Sequence, residues 1–315
     1  RRPIKILIDA LNALGASAFL TRDGCNAPPL VVRGPLIGGD VTIDGFNSQY
    51  VSSLLLSSVF SQTSVQLNVI NALEKPYVQM TLDWMKRYGV EVDNLNNYTS
   101  FTIHGGQQYR AGDFLIPADW SAVAFPLVAA SITNSDLLLT GLDFEDSQGD
   151  KRVVEILQKM GAHIIVEKNS GNLRVIGGQQ LTGGVVVDLS DIPDALPALV
   201  VAATQAVGKT VFTNLAHVRL KETDRVFEMQ TKLTRLGCNL VLENDRLVVE
   251  GPTPIRGGTV SSSHDHRIAM ALVCASLVAE DEVTITDVEC AAVSFPGFFE
   301  AFANCGADLR MEETQ

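Results

Sequence analysis

Three segments of the chain are apolar nearly all round: Ala122–Ile132, Ala195–Val207 and Arg267–Ala279. A helix without a polar face is buried on all sides, so the pattern predicts three core helices. Val78–Tyr88, Lys151–Met160 and Thr223–Leu236 instead carry one apolar stripe and one polar face, and are expected on the outside. Asp40–Asp44, Ser64–Val69, Val90–Val92 and Ser100–Ile103 read as strands. Ser48–Phe60 reads as a helix, and Lys75-Pro76-Tyr77 opens another with Pro in its first turn.

The pattern repeats. A glycine precedes an extended segment at Gly39, Gly112, Gly184 and Gly258, spaced by 73, 72 and 74 residues. A second glycine closes an amphipathic helix at Gly15, Gly89, Gly161, Gly237 and Gly306. That position suits a left-handed C-terminal cap leading into a strand. Four openings against five endings lead to the expectation that the chain starts partway through a repeat. Each repeat reads strand, helix, strand, helix, strand, with a further strand in places. The expected class is therefore α/β, built as βαβαββ units wrapped around buried helices with their sheets outward. Gln107–Asp113 is polar and Gly-containing, which places a domain boundary near residue 115. Residues 1–115 would hold about one and a half repeats and residues 116–315 three.

Composition narrows the function. With 315 residues, 46% apolar and 19% charged, the chain has ordinary globular proportions. No apolar run reaches membrane-spanning length. The formal charge of −12 argues against a nonspecific nucleic-acid binder, but small anions respond to local Arg and Lys placement. The five cysteines show no CxxC spacing and read as free thiols in a reducing cytoplasm, and no Cys/His cluster has metal-ligand spacing.

Charge concentrates at helix starts. Arg219-Leu220-Lys221-Glu222-Thr223-Asp224-Arg225 packs three cations and two acids before an apolar-striped helix. Asp191-Ile192-Pro193-Asp194 and Asp265-His266-Arg267 each open a very apolar helix. Asp194 reads either as a first-turn carboxylate or as a group facing a ligand. Lys221 and Arg225, four apart, are expected to share one helical face, with Glu222 offset from them. Two cations there suit a phosphate or carboxylate, and a carboxylate beside them could move a proton. His266 reads as a capping or packing residue. Asn47-Ser48-Gln49 before the helix at Tyr50 reads as an N-cap or as a phosphate-binding helix start. Arg2 reads either as solvated or as a ligand group.

Several stretches resemble the 5-enolpyruvylshikimate-3-phosphate synthase family of enolpyruvyl transferases. They include Gly38–Leu56 (GGDVTIDGFNSQYVSSLLL), Lys75–Val92, Ser147–Ala162, Ile192–Ala203 (IPDALPALVVAA), Val218–Met229 (VRLKETDRVFEM), His264–Leu272 (HDHRIAMAL) and Phe295–Ala307. The resemblance runs through essentially the whole chain. It implies an inside-out α/β barrel fold in two globular domains of three units each, and a cytoplasmic enzyme that is monomeric at full length. It implies transfer of the enolpyruvyl group of phosphoenolpyruvate to the 5-hydroxyl of shikimate 3-phosphate, with no metal or organic cofactor. By similarity Asp194 would be the base and Glu222 the proton donor and acceptor. Lys221 would bind shikimate 3-phosphate, while Arg2, Arg225 and Arg267 would hold phosphoenolpyruvate. Asn47 and Ser48 would grip the shikimate phosphate, and Gln49 would touch both ligands. The chain departs from the family in places. Glu74 stands where the family has a phosphate-binding Ser before Lys-Pro-Tyr, and Val293 where many members have a Lys. The competing readings are a non-catalytic ligand-sensing or assembly module on the same fold, and a nucleotide-sugar enolpyruvyl transferase.

Overall fold

The computed structural model describes residues 3–312. It divides into two compact units: Arg1–Ile116 with Glu145–Gly149, and Pro117–Phe144 with Asp150–Gln315. Arg2 lies outside the described residues.

The first unit begins with α1 (Lys5–Ala13) and the antiparallel pair β1 (Ser17–Leu20) and β2 (Leu30–Arg33). One full repeat follows: β3 (Gly39–Asp44), α2 (Ser48–Ser58), β4 (Val65–Ile70), α3 (Lys75–Arg87), β5 (Val92–Leu95) and β6 (Ser100–Ile103). Its sheet has the order β3-β4-β6-β5, with β3 and β4 parallel across the α2 crossover and the other pairs antiparallel. Val41, Ile43, Leu54, Leu55, Leu67 and Phe101 form its core together with Leu11 and Leu14.

The second unit holds three repeats. The first runs α4 (Trp120–Ile132), β7 (Asp136–Leu139), α5 (Arg152–Lys159), β8 (His163–Glu167) and β9 (Asn172–Ile176). The next runs β10 (Val186–Asp188), α6 (Leu196–Thr204), β11 (Gly208–Thr213), α7 (Arg225–Arg235), β12 (Leu240–Glu243) and β13 (Arg246–Gly251). The last runs β14 (Gly258–Ser261), α8 (His266–Ser276), β15 (Val283–Thr286) and α9 (Phe298–Asn304). The apolar helices α4, α6 and α8 pack against one another, and all nine residues of α6 are buried. The strands form three separate sheets, ordered β7-β9-β8, β10-β11-β13-β12 and β14-β15. This is the α/β architecture of buried helices and outward sheets that the periodicity predicts. All five repeat-closing glycines have positive φ, from 79° at Gly89 to 97° at Gly306. All five cysteines are free. Among the described residues no helix is long and apolar enough to cross a membrane.

Four local expectations are corrected. Val90 does not start a strand: its N–H still closes α3 by donating to Met85 O at 2.9 Å, so β5 begins at Val92. Residues 112–116 form no strand; Leu115 is 91% exposed, and Pro117 has no N–H to donate to a ladder. The helix expected to reach Val207 stops at Thr204, because Val207 turns out to bridge Thr182. Lys221 is not on a helical face: its backbone is extended (φ −78°, ψ −151°), and α7 begins only at Arg225. Asp224 explains that delay, since its side chain caps the helix by accepting from Phe227 N at 3.0 Å.

Candidate active site

The starts of the buried helices position the charges. Asn47, Asp119 and Asp265 each cap the buried helix of their repeat, accepting from the backbone N–H two residues on. A cap of this kind is worth about 1 kcal/mol. The repeat of α6 differs. A 3₁₀ turn, Pro193–Ala195, leads into α6 without a side-chain cap. Asp194 sits in that turn, and its carboxylate reaches cations instead.

Three of them converge on it. Arg225 Nη1 donates to Asp194 Oδ1 at 2.8 Å, Arg267 Nη2 lies 3.0 Å from Oδ2, and Lys221 Nζ lies 3.9 Å from Oδ1. Arg225 is the hub. Its side chain is 1% exposed and also binds Glu222 Oε2 (2.6 Å) and both oxygens of Asp265 (2.8 and 3.3 Å). Asp265 is fully buried and accepts further from Thr223 Oγ1 at 3.0 Å and Arg267 N at 2.9 Å. Three carboxylates thus face three cations. Such balance is what allows charges to be buried at all, since an unpaired one would be far too costly to desolvate.

The electrostatics follow. Burial pushes the Asp194 carboxyl up, but Arg267, Arg225 and Lys221 together outweigh it and hold it far below the usual carboxylate range. Burial likewise opposes ionisation of Asp265, and Arg225 overrides it, so this carboxyl too titrates low. Burial, then Arg267 and Arg225, lower His266 below its ordinary value, while Asp265 and Glu222 pull the other way. His266 is therefore held neutral. Its depressed value stabilises the fold above about pH 6.5, the unfolded value, and that contribution is lost as pH falls through the folded one. Unfolding free energy measured between about pH 7.5 and 5 should drop in the natural chain and drop less in His266→Gln. An equal slope in both would place the dependence on another group.

Arg267 differs from Arg225. Its Nε and Nη1 are buried and have no hydrogen-bond partner among the described residues. Buried guanidinium N–H groups are rarely left so; Nε and Nη1 lie on opposite edges of the guanidinium, each next to the Nη2 that meets Asp194, and either can give a charge-assisted bond to a carboxylate or phosphate. The cluster can therefore hold an anion at Arg267 beside the Asp194 carboxylate, with Glu222 joined to the same Arg225 that binds Asp194. The side chain of Glu222 is 33% exposed.

Asp194, Lys221, Glu222, Arg225 and Arg267, all candidates by sequence, come together in the structure. Asp265 reads in the sequence only as part of a helix opening. The signal was present, since an Asp one residue before a helix start is a capping residue and its second oxygen remains for a neighbour. Arg219 and Asp224 pair with each other at 2.7 Å on a half-exposed face, so part of the charged heptad only caps and solvates. Val293, 77% exposed, brings no charge.

Asn47, Ser48 and Gln49 belong to a second cluster, in the first unit. Asn47 Oδ1 accepts from Gln49 N at 3.0 Å. Ser48 donates through N (3.0 Å) and Oγ (2.7 Å) to Oε2 of Glu74, which is 1% exposed. Glu74 is left-handed (φ 53°, ψ 36°), a conformation that costs a non-Gly residue about 1–2 kcal/mol.

The sequence matches the family EPSP synthase (3-phosphoshikimate 1-carboxyvinyltransferase) over residues 1–302. The 3-phosphoshikimate 1-carboxyvinyltransferase of Ruminiclostridium cellulolyticum is 39% identical over 311 residues, which cover 99% of this chain and 72% of that protein. The protein of the same description from Acetivibrio thermocellus is 40% identical over 309 residues, covering 98% and 71%. Among solved structures, an EPSP synthase from Acinetobacter baumannii superposes with a TM-score of 0.79 at 27% identity, over 97% of this chain and 71% of that one. With its repeats, its buried charge cluster and a match along nearly its whole length, the chain belongs to the EPSP synthase (3-phosphoshikimate 1-carboxyvinyltransferase) family.

Proposed function

We propose that the chain transfers the enolpyruvyl group of phosphoenolpyruvate to the 5-hydroxyl of shikimate 3-phosphate and releases phosphate. The observation that carries this reading is the Arg267 guanidinium, two of whose buried N–H groups face no partner among the described residues, set 3.0 Å from the Asp194 carboxylate. An anionic ligand on Arg267 lies beside Asp194, and Glu222 is held in the same cluster through Arg225.

The roles divide by geometry. Asp194 takes the proton of the attacking hydroxyl as its oxygen bonds to C2 of phosphoenolpyruvate. Glu222 gives a proton to the methylene carbon, forming a tetrahedral ketal, and takes one back as phosphate leaves and the double bond re-forms. Arg267 and Lys221 offset the ligands' negative charge. Arg225, already committed to Asp194, Glu222 and Asp265, acts mainly by positioning these carboxylates. Asn47 and Ser48 grip the acceptor's phosphate, with Gln49 beside them. A cytoplasmic monomer goes with this reading.

Phosphate release measured with both substrates tests it. Turnover should require both, and Arg267→Gln should raise KM for phosphoenolpyruvate by about 10²-fold, the loss of charge-assisted hydrogen bonds to the ligand's anion. No phosphate release by the natural protein with both substrates would sink the reading.

A further inference from the structure

Glu74 has no part in the chemistry above, yet it is buried, backbone-strained and bonded to a residue that the functional reading uses. Helix α2 has 11 residues and opens at Ser48. The N–H and Oγ–H of Ser48 are the donors that an anion at this helix start would take. Both go to one oxygen of Glu74, a residue 26 positions away in sequence.

The loop before α3 is built to bring that carboxylate there. Gly45 N donates to Ile70 O at 2.7 Å and Leu73 N to Gly45 O at 3.2 Å, clamping the segment after β4 onto the segment after β3. Gly45 is needed for the approach: a Cβ there would lie 2.4 Å from Val69 Cγ1. The left-handed turn at Glu74 then directs its side chain inward rather than to solvent. Strain of this kind persists where surrounding structure enforces it, and it concentrates at functional positions.

We propose that Glu74 is a specificity-determining residue: its carboxylate occupies the Ser48 donors, so an acceptor's phosphate binds there only by displacing the chain's own anion. This rests on the assignment of Ser48 to the acceptor's phosphate. A dianion and a carboxylate cannot share two donors, because like charges in contact repel strongly. The acceptor's affinity is therefore set by how readily Glu74 leaves, while the phosphoenolpyruvate groups around Arg267 are unaffected.

The test uses inorganic phosphate first, by calorimetry, and then steady-state kinetics. Glu74→Asn removes the carboxylate and tolerates left-handed backbone. It should bind phosphate about tenfold more tightly than the natural chain, and the added Ser48→Ala should abolish the gain. Glu74→Gln keeps the shape without the charge and should gain about threefold, which carries the test if the Asn variant misfolds. In turnover, Glu74→Asn should lower KM for shikimate 3-phosphate about tenfold and leave KM for phosphoenolpyruvate and kcat within about twofold. Equal phosphate affinity in folded Glu74→Asn, Glu74→Gln and natural chain overturns the proposal, as does a gain that survives Ser48→Ala. A phosphate gain without any turnover supports the occupancy at Ser48 and counts against the transferase reading alone.

Discussion

Replacing Arg225 by Met should destabilise the protein by about 3–5 kcal/mol, the range for breaking a buried ion pair from one side. The guanidinium is 1% exposed and binds Asp194, Glu222 and Asp265, so its loss leaves Asp265 buried with no compensating charge. For a unit of this size that corresponds to a fall in Tm of about 10 °C. Arg225→Lys should recover only part, since an ammonium cannot span Asp265 with a fork while also reaching Asp194. The double variant Arg225→Met with Asp265→Asn should lose less than the sum of the single losses, because the stranded charge goes with its partner. Denaturant unfolding of the natural chain, Arg225→Met, Arg225→Lys, Asp265→Asn and the double variant reads all of this. A loss below about 1 kcal/mol in Arg225→Met would show that the cluster holds no buried charge. Turnover should vanish in the same variant, with Asp194 and Glu222 no longer held in place.

How much of this could be read from sequence depends on the kind of interaction. The buried helices were legible because Ala122–Ile132, Ala195–Val207 and Arg267–Ala279 lack a polar face, and only one place in an α/β unit suits such a helix. The five closing glycines were legible because positive φ excludes most other residues. Element ends were less so. The end of α6 at Thr204 and the start of β5 at Val92 are set by long-range pairings and by cap geometry, which local propensity does not encode.

The site divides in the same way. Charges at helix starts marked Asp194, Lys221, Glu222, Arg225 and Arg267 as candidates, since nothing in packing calls for them there. The division of labour among them was hidden. Lys221 and Arg225 meet at Asp194 through an extended segment and a capped helix start, not through four-residue helical spacing. That Arg225 is largely taken up by carboxylates while Arg267 retains two buried nitrogens without a partner among the described residues depends on distances across two repeats. The bond between Glu74 and Ser48 was equally hidden, because it depends on a left-handed turn that a glutamate does not advertise.

Asp194→Asn should lower kcat by about 10²–10⁴-fold, the span for losing a positioned general base. The same change should not weaken phosphoenolpyruvate binding. The Asp194 carboxylate is an anion that Arg267 and Lys221 both face, at 3.0 and 3.9 Å. An incoming carboxylate or phosphate must compete with it, and a neutral amide competes less, so KM for phosphoenolpyruvate should hold or fall. The same geometry accounts for how a carboxyl held so low can act as a base. Its value is depressed, against the opposing effect of burial, by Arg267, Arg225 and Lys221. Once ligand anions offset the charge on Arg267 and Lys221, two of those three cations no longer hold the proton off, and Asp194 regains basicity where the hydroxyl must be deprotonated. Steady-state kinetics in both substrates, on the natural chain and on Asp194→Asn, separates these effects. A kcat within tenfold of the natural chain would remove Asp194 from the proton transfer and leave it only an ion-pair partner of Arg225, Arg267 and Lys221.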